Sequence, residues 1–539
     1  MEKVKKLLCV VMAVAMLAVL FAGCNQAADP TEAPAATEAP AAPAATEAPA
    51  VPAEPVEISI ASWDIDITDI PEDDLYKSVL EKFNITIDRW STGWDNYYEK
   101  IQTWCATGQI PDLFSIDAFG QPYYTTWVEE GIIRQIPDDL SAYPNLKAIM
   151  DMADTAAYKD PDGHYYCIPK PNYADNVLWG LEKGIYIRKD WMEACGYTAQ
   201  PKSMDEFIAM VKDIMAKNPE GASNLVGITA HNKSHFFSFM LSYAPEVACA
   251  NNYWIKGADG SWVPGILSDR TKTGLVEMNK LYTEGIMDND IPIIKDSEGL
   301  DKFVSGKAVA LCAAPNKIFD LKESFKAVYP DKNWEDCFML IQPWAGENGK
   351  AYRYATLSHW AETYIGGDVT DEEMHTILAF YDYMLGDGLT ACRFGEEGVD
   401  YKMNGDQVEI TIAKKEDGTP YTVAELHQPL YNLMTVFTWD GDFALMNPAI
   451  DESVRKFQLD YANWLRENTE PVETNFQLTY MMYENKDKTV ADPTDDMLKV
   501  VMSDDVEAAY AAMVADMNAL GYQDAIASFN EAAKSAGIG

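Results

Sequence analysis

The body of the chain alternates short strand patterns with helical patterns of about ten residues, and this order restricts the fold more than any other feature. Residues 56–60 alternate apolar and polar side chains, as a half-buried strand does. A helix ending near Phe83, a strand at 85–87, a helix at 97–107 and a strand at 113–116 follow. Strands and helices in this order are typical of a parallel sheet with crossover helices. The sequence therefore predicts an α/β fold.

The same alternation resumes further along the chain. A strand pattern covers 184–187, and Ser203-Met204-Asp205-Glu206 has the spacing of a capping box that opens a helix. Short apolar strands are predicted at 226–228 and 308–312. The body, residues 57–539, is too long for a single hydrophobic core. We therefore expect two large lobes.

The N-terminus has the three parts of a secretion signal. Lys3, Lys5 and Lys6 precede an apolar run over 7–21, which is shorter than the roughly 20 residues that span a membrane. The small residues Ala22-Gly23 and then Cys24 follow directly, so residues 1–23 are predicted to be a cleaved signal peptide. Gly23-Cys24 resembles a lipobox, in which the cysteine is acylated, although Phe21 stands where that motif prefers Leu. An ordinary signal with an incidental cysteine is the alternative.

Residues 24–56 consist largely of Ala, Pro, Thr and Glu, and Thr-Glu-Ala-Pro recurs from Thr31, Thr37 and Thr46. Such a segment has no aromatic side chains to bury, so it cannot offset the entropy of ordering. Its prolines favour extended chain that reaches up to about 100 Å. A disordered tether of this kind favours lipid attachment at Cys24. We expect the protein to be anchored on the outer face of the cytoplasmic membrane, in a bacterium without an outer membrane.

Charge and cysteine usage exclude several classes of function. The formal net charge is −43, which repels nucleic acid and disfavours highly anionic ligands. Beyond Cys24 the mature chain has an odd, scattered set of cysteines without a C-x-x-C motif, so we expect buried thiols and no disulfide framework. These are Cys105, Cys167, Cys195, Cys249, Cys312, Cys337 and Cys392.

Five stretches resemble, in the same order, those of the extracellular solute-binding lipoproteins of ABC importers, in the large group that binds oligosaccharides. They are 99–114, Cys167-Ile168-Pro169 with 184–191, 303–308, 395–401 and Gly521-Tyr522. The resemblance extends over nearly the whole body. Where the family often carries Asn-Pro-Glu, this chain has Asp368-Val369-Thr370-Asp371-Glu372, which leaves the subfamily open.

The resemblance implies a two-lobed periplasmic-binding-protein-like fold of type II, with parallel-rich sheets and a hinge. It implies an N-terminal lobe of 57–170 with 345–395 and a C-terminal lobe of 171–344 with 396–539. Ligand would bind in the cleft, and the lobes would close around it. The partners would be an oligosaccharide and the permease subunits of an ABC importer. We expect a monomer without cofactor, metal or enzymatic activity.

Ligands of α/β lobes meet the loops at the carboxyl ends of parallel strands. Aromatic rings there can cover the C–H faces of a sugar, and Asp, Asn and His can bind its hydroxyls. With 14 Trp and 29 Tyr the chain has many such rings, although each Trp could instead belong to the core. The predicted ligand-binding residues are Trp63, Asp64, Asp117, Trp179, Asn316, His359, Trp360 and Trp439.

Two other classes remain open. A lipid-anchored glycoside hydrolase would need two carboxylates roughly 5–10 Å apart across a cleft. A binding protein for peptides or another non-sugar solute would have a similar shape, but many aromatic and few basic residues favour a neutral oligosaccharide. His231 and His235 lack the Glu of a zinc protease. The acidic stretch 64–74 lacks the spacing of an EF-hand loop, so no metal is predicted, although a structural calcium stays open.

Overall fold

The chain was analysed as a computed structural model. It describes residues 52, 54–65, 72–90, 93–119, 121–160, 162–250, 252–257, 259–346, 349–405, 407–416, 418–471, 488–490, 492–535 and 537–538. The predicted signal peptide, Cys24 and most of the tether lie outside these residues.

The strands begin with those of the first half of the chain. They are β1 (Val56–Ala61), β2 (Ile85–Arg89), β3 (Leu113–Ile116), β4 (Ile168–Pro171), β5 (Ile185–Arg188), β6 (Val226–Ala230), β7 (Trp254–Lys256) and β8 (Trp262–Pro264). The later strands are β9 (Ala308–Cys312), β10 (Phe338–Leu340), β11 (Tyr352–Arg353), β12 (His359–Ile365), β13 (Tyr401–Asn404), β14 (Gln407–Ile410) and β15 (Glu470–Pro471).

The α-helices lie between and after these strands. They are α1 (Asp74–Glu81), α2 (Tyr97–Thr107), α3 (Pro122–Glu129), α4 (Pro144–Met150), α5 (Lys189–Ala194), α6 (Met204–Lys217), α7 (Asp269–Thr283), α8 (Asp296–Val304), α9 (Ile318–Val328) and α10 (Trp334–Cys337). The second half adds α11 (Asp371–Met384), α12 (Asp387–Phe394), α13 (Val423–Leu426), α14 (Gln428–Met434), α15 (Gly441–Met446), α16 (Glu452–Asn468), α17 (Thr494–Val501), α18 (Val506–Leu520) and α19 (Tyr522–Ser535).

Local chemistry explains the ends of the helices that the sequence predicts. The Ser203 hydroxyl accepts a hydrogen bond from the Glu206 amide at 3.2 Å and opens α6, as predicted. The Glu206 carboxylate accepts from the Lys202 amide at 2.8 Å, so the reciprocal half of the capping box is displaced by one residue. Helix α2 ends at Gly108, which adopts a left-handed φ of 67° that glycine tolerates best.

Two sheets organise the body. The first has the strand order β2-β1-β3-β12-β4, with β1 parallel to β2 and β3, and β12 antiparallel to β3 and β4. The second has the order β10-β5-β9-β6, with β6 parallel to β9 and β5 antiparallel to both neighbours. The parallel pairs are those that the strand–helix alternation predicts. The antiparallel strands border the chain segments that run between the sheets.

Each sheet has its own hydrophobic core. Ile60 and Leu113 contribute to a cluster on one face of the first sheet, while Phe114 and Ile116 contribute to a cluster on the other face. The second sheet lies in a separate large cluster that includes Ile187. Two sheets with separate cores form the predicted two-lobed α/β architecture.

Helix α14 packs on the first sheet, whereas the lobe boundaries expected from the sequence placed all of 396–539 in the C-terminal lobe. Leu430 and Leu433 pack in the core of the first sheet. The Ser115 hydroxyl of β3 also donates to the Val436 carbonyl at 3.1 Å. Helical periodicity shows that a helix has a buried face, but not which sheet covers that face. We infer lobes of 56–171 with 359–437, and of 185–340 with 445–538.

Three segments run between the lobes, at 172–184, 341–358 and 438–444. They lie side by side, because the Asn172 amide donates to the Ser358 carbonyl and the Trp439 amide donates to the Pro171 carbonyl, both at 2.9 Å. The Ala174 amide donates to an Asp442 carboxylate oxygen at 2.8 Å. Hydrogen bonds between the segments therefore join them in a single hinge region.

The cysteines that the structure describes agree with the expectation of free thiols. Cys105, Cys167, Cys195, Cys337 and Cys392 are free thiols, and all except the half-buried Cys195 are buried, as Cys312 also is. Among the described residues, none of the helices combines the length and the apolar character that a membrane-crossing segment requires.

Candidate functional site

Six aromatic side chains meet at the end of β1 and the start of β12. We call them the aromatic cluster: Trp63, Trp94, Tyr97, Tyr98, Trp360 and Trp439. Trp63 lies at the centre, with ring centroids 4.6 Å from Tyr97 and 5.3 Å from Trp360. The same ring lies 5.5 Å from Trp94 and 5.9 Å from Trp439. Contacts of this kind stabilise beyond simple burial of area.

The cluster has an inner and an outer layer. Trp63 is only 1% exposed, whereas Trp94 is 50% exposed. The rings of Trp94 and Trp360 are parallel to within 2°. Trp360 is half-buried and packs against the cores of both lobes. The outer layer therefore presents aromatic faces between the lobes, and Trp63 supports them from behind.

A buried lysine lies under the aromatic cluster. Lys170 of β4 is fully buried, and its Nζ lies 3.7 Å from the centroid of the Trp439 ring and 5.2 Å from that of Trp63. Burial holds the pKa of Lys170 well below its usual range, against the opposing charges of Asp64, Glu362 and Asp117. The two indole faces and the nearby carboxyl groups favour the ammonium form, but burial outweighs them and favours the neutral amine.

Two buried carboxyl groups accompany this lysine. Glu362 accepts hydrogen bonds from the Ala118 and Phe119 amides and from the Tyr364 hydroxyl. Burial, and then the charge of Asp117, raises the pKa of Glu362 to about 8. Burial also raises the pKa of Asp117 to about 6, although a hydrogen bond with Tyr98 lowers it. At neutral pH this pair therefore retains a proton.

Several buried polar atoms around the cluster have no hydrogen-bond partner within the described part of the chain. They are Ser62 Oγ, Trp63 Nε1, Asp117 Oδ1 and Lys170 Nζ. Buried polar groups in native proteins are normally satisfied, so a group of such atoms at one place requires an explanation. Together they offer donors and an acceptor of the kind that bind hydroxyl groups.

The structure brings five of the predicted ligand-binding residues together. Trp63, Trp360 and Trp439 belong to the aromatic cluster, and Asp117 contacts it through Tyr98. Asp64 accepts a hydrogen bond from Trp94 Nε1 at 2.8 Å. These residues lie far apart in the chain. Trp63 and Asp64 follow β1 and Asp117 follows β3, and the two strands are parallel neighbours, so their carboxyl ends lie at the same edge of the sheet.

The other three lie elsewhere. His359 is buried with its Nε2 3.1 Å from the Thr155 hydroxyl, and burial lowers its pKa to about 4, so the ring is neutral. Trp179 is buried in the core of the second lobe. Asn316 donates from Nδ2 to Glu182 at 2.9 Å, on the side of the second sheet. None of these contacts involves the aromatic cluster.

Sequence reasoning missed Trp94, Tyr97, Tyr98, Lys170 and Glu362. The last two carried a usable signal, because each is a lone charged residue within a short apolar strand, β4 or β12. Lys and Glu are almost never fully buried unless they are paired. A charged residue in such a strand therefore indicates a site.

Metal binding finds no support among the described residues, where no group of three or more His, Cys, Asp or Glu side chains could hold an ion. The rings of His231 and His235 do lie together, with centroids 5.2 Å apart. Part of the acidic stretch, residues 66–71, lies outside the described residues.

The chain belongs to the bacterial extracellular solute-binding protein family, whose model matches residues 74–391, more than half of the sequence. It is 23% identical over 346 residues to the polygalacturonan/rhamnogalacturonan-binding protein YtcQ of Bacillus subtilis, covering 63% of this chain and 64% of YtcQ. It is 24% identical over 236 residues to the fructooligosaccharide ABC transporter substrate-binding protein FusA of Streptococcus pneumoniae, covering 41% of this chain and 43% of FusA. The chain thus spans less than two thirds of either relative.

Solved structures show the same fold over more of the chain. The alginate-binding protein AlgQ2 aligns with a TM-score of 0.68 at 17% identity, over 90% of this chain and 99% of AlgQ2. FusA with bound fructo-nystose aligns with a TM-score of 0.64 at 17% identity, over 89% of this chain and 99% of FusA. The fold is therefore that of the two-lobed solute-binding proteins.

Proposed function

We propose that this protein is a monomeric solute-binding protein that captures a neutral oligosaccharide between its lobes and delivers it to the permease subunits of an ABC importer. The observation that carries this proposal is the aromatic cluster with its unpartnered buried polar atoms. Aromatic faces match the C–H faces of a sugar ring, and the polar atoms match its hydroxyls. The names of YtcQ and FusA both support a carbohydrate ligand, and that of FusA, a fructooligosaccharide-binding protein, supports a neutral one.

Charge favours a neutral ligand over a uronate. The carboxyl groups of Asp64, Asp117 and Glu362 lie near Lys170, and burial holds the pKa of Lys170 itself well below its usual range, so the region is not electropositive. An additional carboxylate would be placed among these groups at a cost in free energy. The formal charge of −43 adds to this repulsion.

Closure around the ligand follows from the position of Trp360. Its ring packs against the cores of both lobes, so a rotation about the three hinge segments changes its surroundings. A ligand can drive closure only through contacts that the open form lacks. A sugar that contacts Trp360 of the first lobe and also the second lobe would make contacts that the open form lacks.

Catalysis is not part of the proposal. A glycoside hydrolase needs an acid and a second carboxylate that both reach the glycosidic bond. Glu362 instead accepts three hydrogen bonds from its own chain, and the relatives YtcQ and FusA are named as binding proteins. A peptide or another solute remains the second candidate for the ligand.

The purified protein is expected to bind a neutral oligosaccharide on a glycan array. In solution the same sugar should quench tryptophan fluorescence and should not be cleaved. Trp360→Ala should weaken binding by about 1–3 kcal/mol, because the variant loses one aromatic face, and should destabilise the fold less than removal of a fully buried tryptophan. Trp104→Ala is the matched control, since Trp104 is a partly buried tryptophan that packs against the same hydrophobic core but is not a member of the aromatic cluster. Turnover of the sugar, binding of peptides alone, or equal affinity of the Trp360→Ala variant would contradict the proposal.

We further propose that Cys24 is lipid-modified and holds this body at the outer face of the cytoplasmic membrane. The tether over 24–56 then keeps the binding protein close to its importer and leaves the lobes free to move. Cys24→Ser should release the protein into the medium, as measured by immunoblotting of cell and medium fractions. Substitution of another tether residue, Thr37→Ser, should leave it on the cell. Retention of the Cys24→Ser protein would exclude lipid attachment at this residue.

A further inference from the structure

A cavity of about 260 Å³ lies beside the aromatic cluster, and Trp439 forms part of its wall. We call it the side cavity. Aromatic rings of Phe319, Tyr431 and Phe443 line it together with Trp439. Since Trp439 also contacts Trp63 and Trp360, the cavity and the cluster share a side chain.

Both lobes contribute to the side cavity. Cys392 and Met434 line it from the core of the first sheet. Phe319 and Ile450 line it as well, and these two pack against the core of the second lobe. The volume of the cavity therefore depends on the relative position of the lobes.

An ion pair supplies polar groups within this otherwise apolar wall. Arg393 donates from Nε to Asp440 Oδ2 at 2.7 Å and from Nη2 to Asp440 Oδ1 at 2.5 Å. The guanidinium lies 5.2 Å from the ring centroid of Phe443. Asp440 adopts a left-handed φ of 50°, which is uncommon for a residue with a side chain.

A second contact joins the cavity to the main site. Asn432, next to the cavity residue Tyr431, donates from Nδ2 to the Asp64 carbonyl at 2.6 Å. Asp64 in turn accepts from Trp94 of the aromatic cluster. The chain at 431–432 thus lies between the two places.

The geometry points to the side cavity as a subsite for one terminal glycosyl unit of the oligosaccharide, with Trp439 separating that unit from the units on the aromatic cluster. This inference rests on the proposed function. The cavity is smaller than the about 300–1,000 Å³ of pockets for whole drug-sized ligands, so it suits a single unit. Its aromatic walls match a sugar face, and the further N–H groups of Arg393 and lone pairs of Asp440 match hydroxyls.

The test fills the cavity from the first lobe and from the hinge segment 438–444, and measures affinity against ligand length. Ala444 of α15 and Ala424 of α13 line the cavity, so Ala444→Trp and Ala424→Trp should occupy it. Met446→Trp is the control, because Met446 lies on the same helix as Ala444 and is 64% exposed. The ligands are neutral oligosaccharides from disaccharide to octasaccharide, in a fructan and a glucan series. Thermal unfolding of each variant shows that it is folded.

We expect the filled variants to bind the shortest ligands as the parent does and to lose about tenfold or more in affinity for the longer ones. Their affinity should stop rising one unit earlier than that of the parent, and Met446→Trp should follow the parent. If parent and filled variants show the same dependence on length, the subsite is excluded while the proposed function stands. If the parent binds no member of either series or of the array, the proposed function itself fails, and the subsite with it.

Discussion

Replacing Trp63 with alanine should lower the free energy of unfolding by about 3–5 kcal/mol, the range for a large aromatic removed from a core. The side chain is 1% exposed and contacts Tyr97, Trp360 and Trp439. Its removal leaves a cavity bounded by rigid rings that cannot collapse into it. Urea unfolding monitored by far-UV circular dichroism measures the loss.

Trp94→Ala is the matched control for this prediction. Trp94 belongs to the same cluster but is 50% exposed, so its removal should cost about 1 kcal/mol or less. Equal losses in the two variants would show that Trp63 does not support the cluster from behind. The comparison separates aromatic side chains that form the site from the one that holds them in place, a distinction that composition does not provide.

Glu362→Gln should remove a loss of stability that the parent shows as pH rises. We expect the free energy of unfolding of the parent, relative to the variant, to fall by about 4 kcal/mol between about pH 5 and about pH 8.5. Burial raises the pKa of this carboxyl from 4.5 to about 8, so the folded protein retains a proton that the unfolded chain releases. The stabilisation is complete below the unfolded pKa of 4.5 and is lost as pH rises through the folded pKa of about 8. Glutamine resembles the protonated form at every pH.

The variant should therefore match the parent near pH 5 and exceed its stability near pH 8.5, where the parent contains an ionised, buried Glu362 beside Asp117. Glu372→Gln, at an exposed position of α11, is the control and should follow the parent throughout. Urea unfolding at each pH gives the free energies. A parallel dependence on pH in parent and Glu362→Gln would show that the carboxyl is already ionised in the folded protein.

These two side chains give the site different properties. Trp63 holds the outer rings in position, and the Glu362–Asp117 pair keeps a proton beside the buried Lys170. Sugar binding in the proposed cleft should then strengthen as pH rises and Asp117 ionises, since its unpartnered Oδ1 becomes a stronger acceptor for a hydroxyl. The stability experiment defines the pH range in which such a change is expected.

Local patterns were sufficient for the elements of the body. Strand β3 and helix α2 have the predicted bounds, because a short apolar run and helical spacing, with Gly108 as a stop, act over a few neighbouring residues. The order of strands and helices also predicted the α/β class. Parallel strands place their carboxyl ends at one edge, which is why Trp63 and Asp117 were found from sequence.

The tertiary structure alone decided which residues form the site. Whether α14 covers the first or the second sheet, and whether Trp179 lies in the core or the cleft, depends on packing between segments far apart in the chain. Lys170 and Glu362 became site residues only when β4 and β12 paired at the edge of the first sheet. Periodicity identifies the buried face of each element, but it does not identify which distant segment packs against that face. The sequence by itself determined the class of fold and those elements that local patterns mark, and contacts between distant segments, most of them within the first lobe, determined the site.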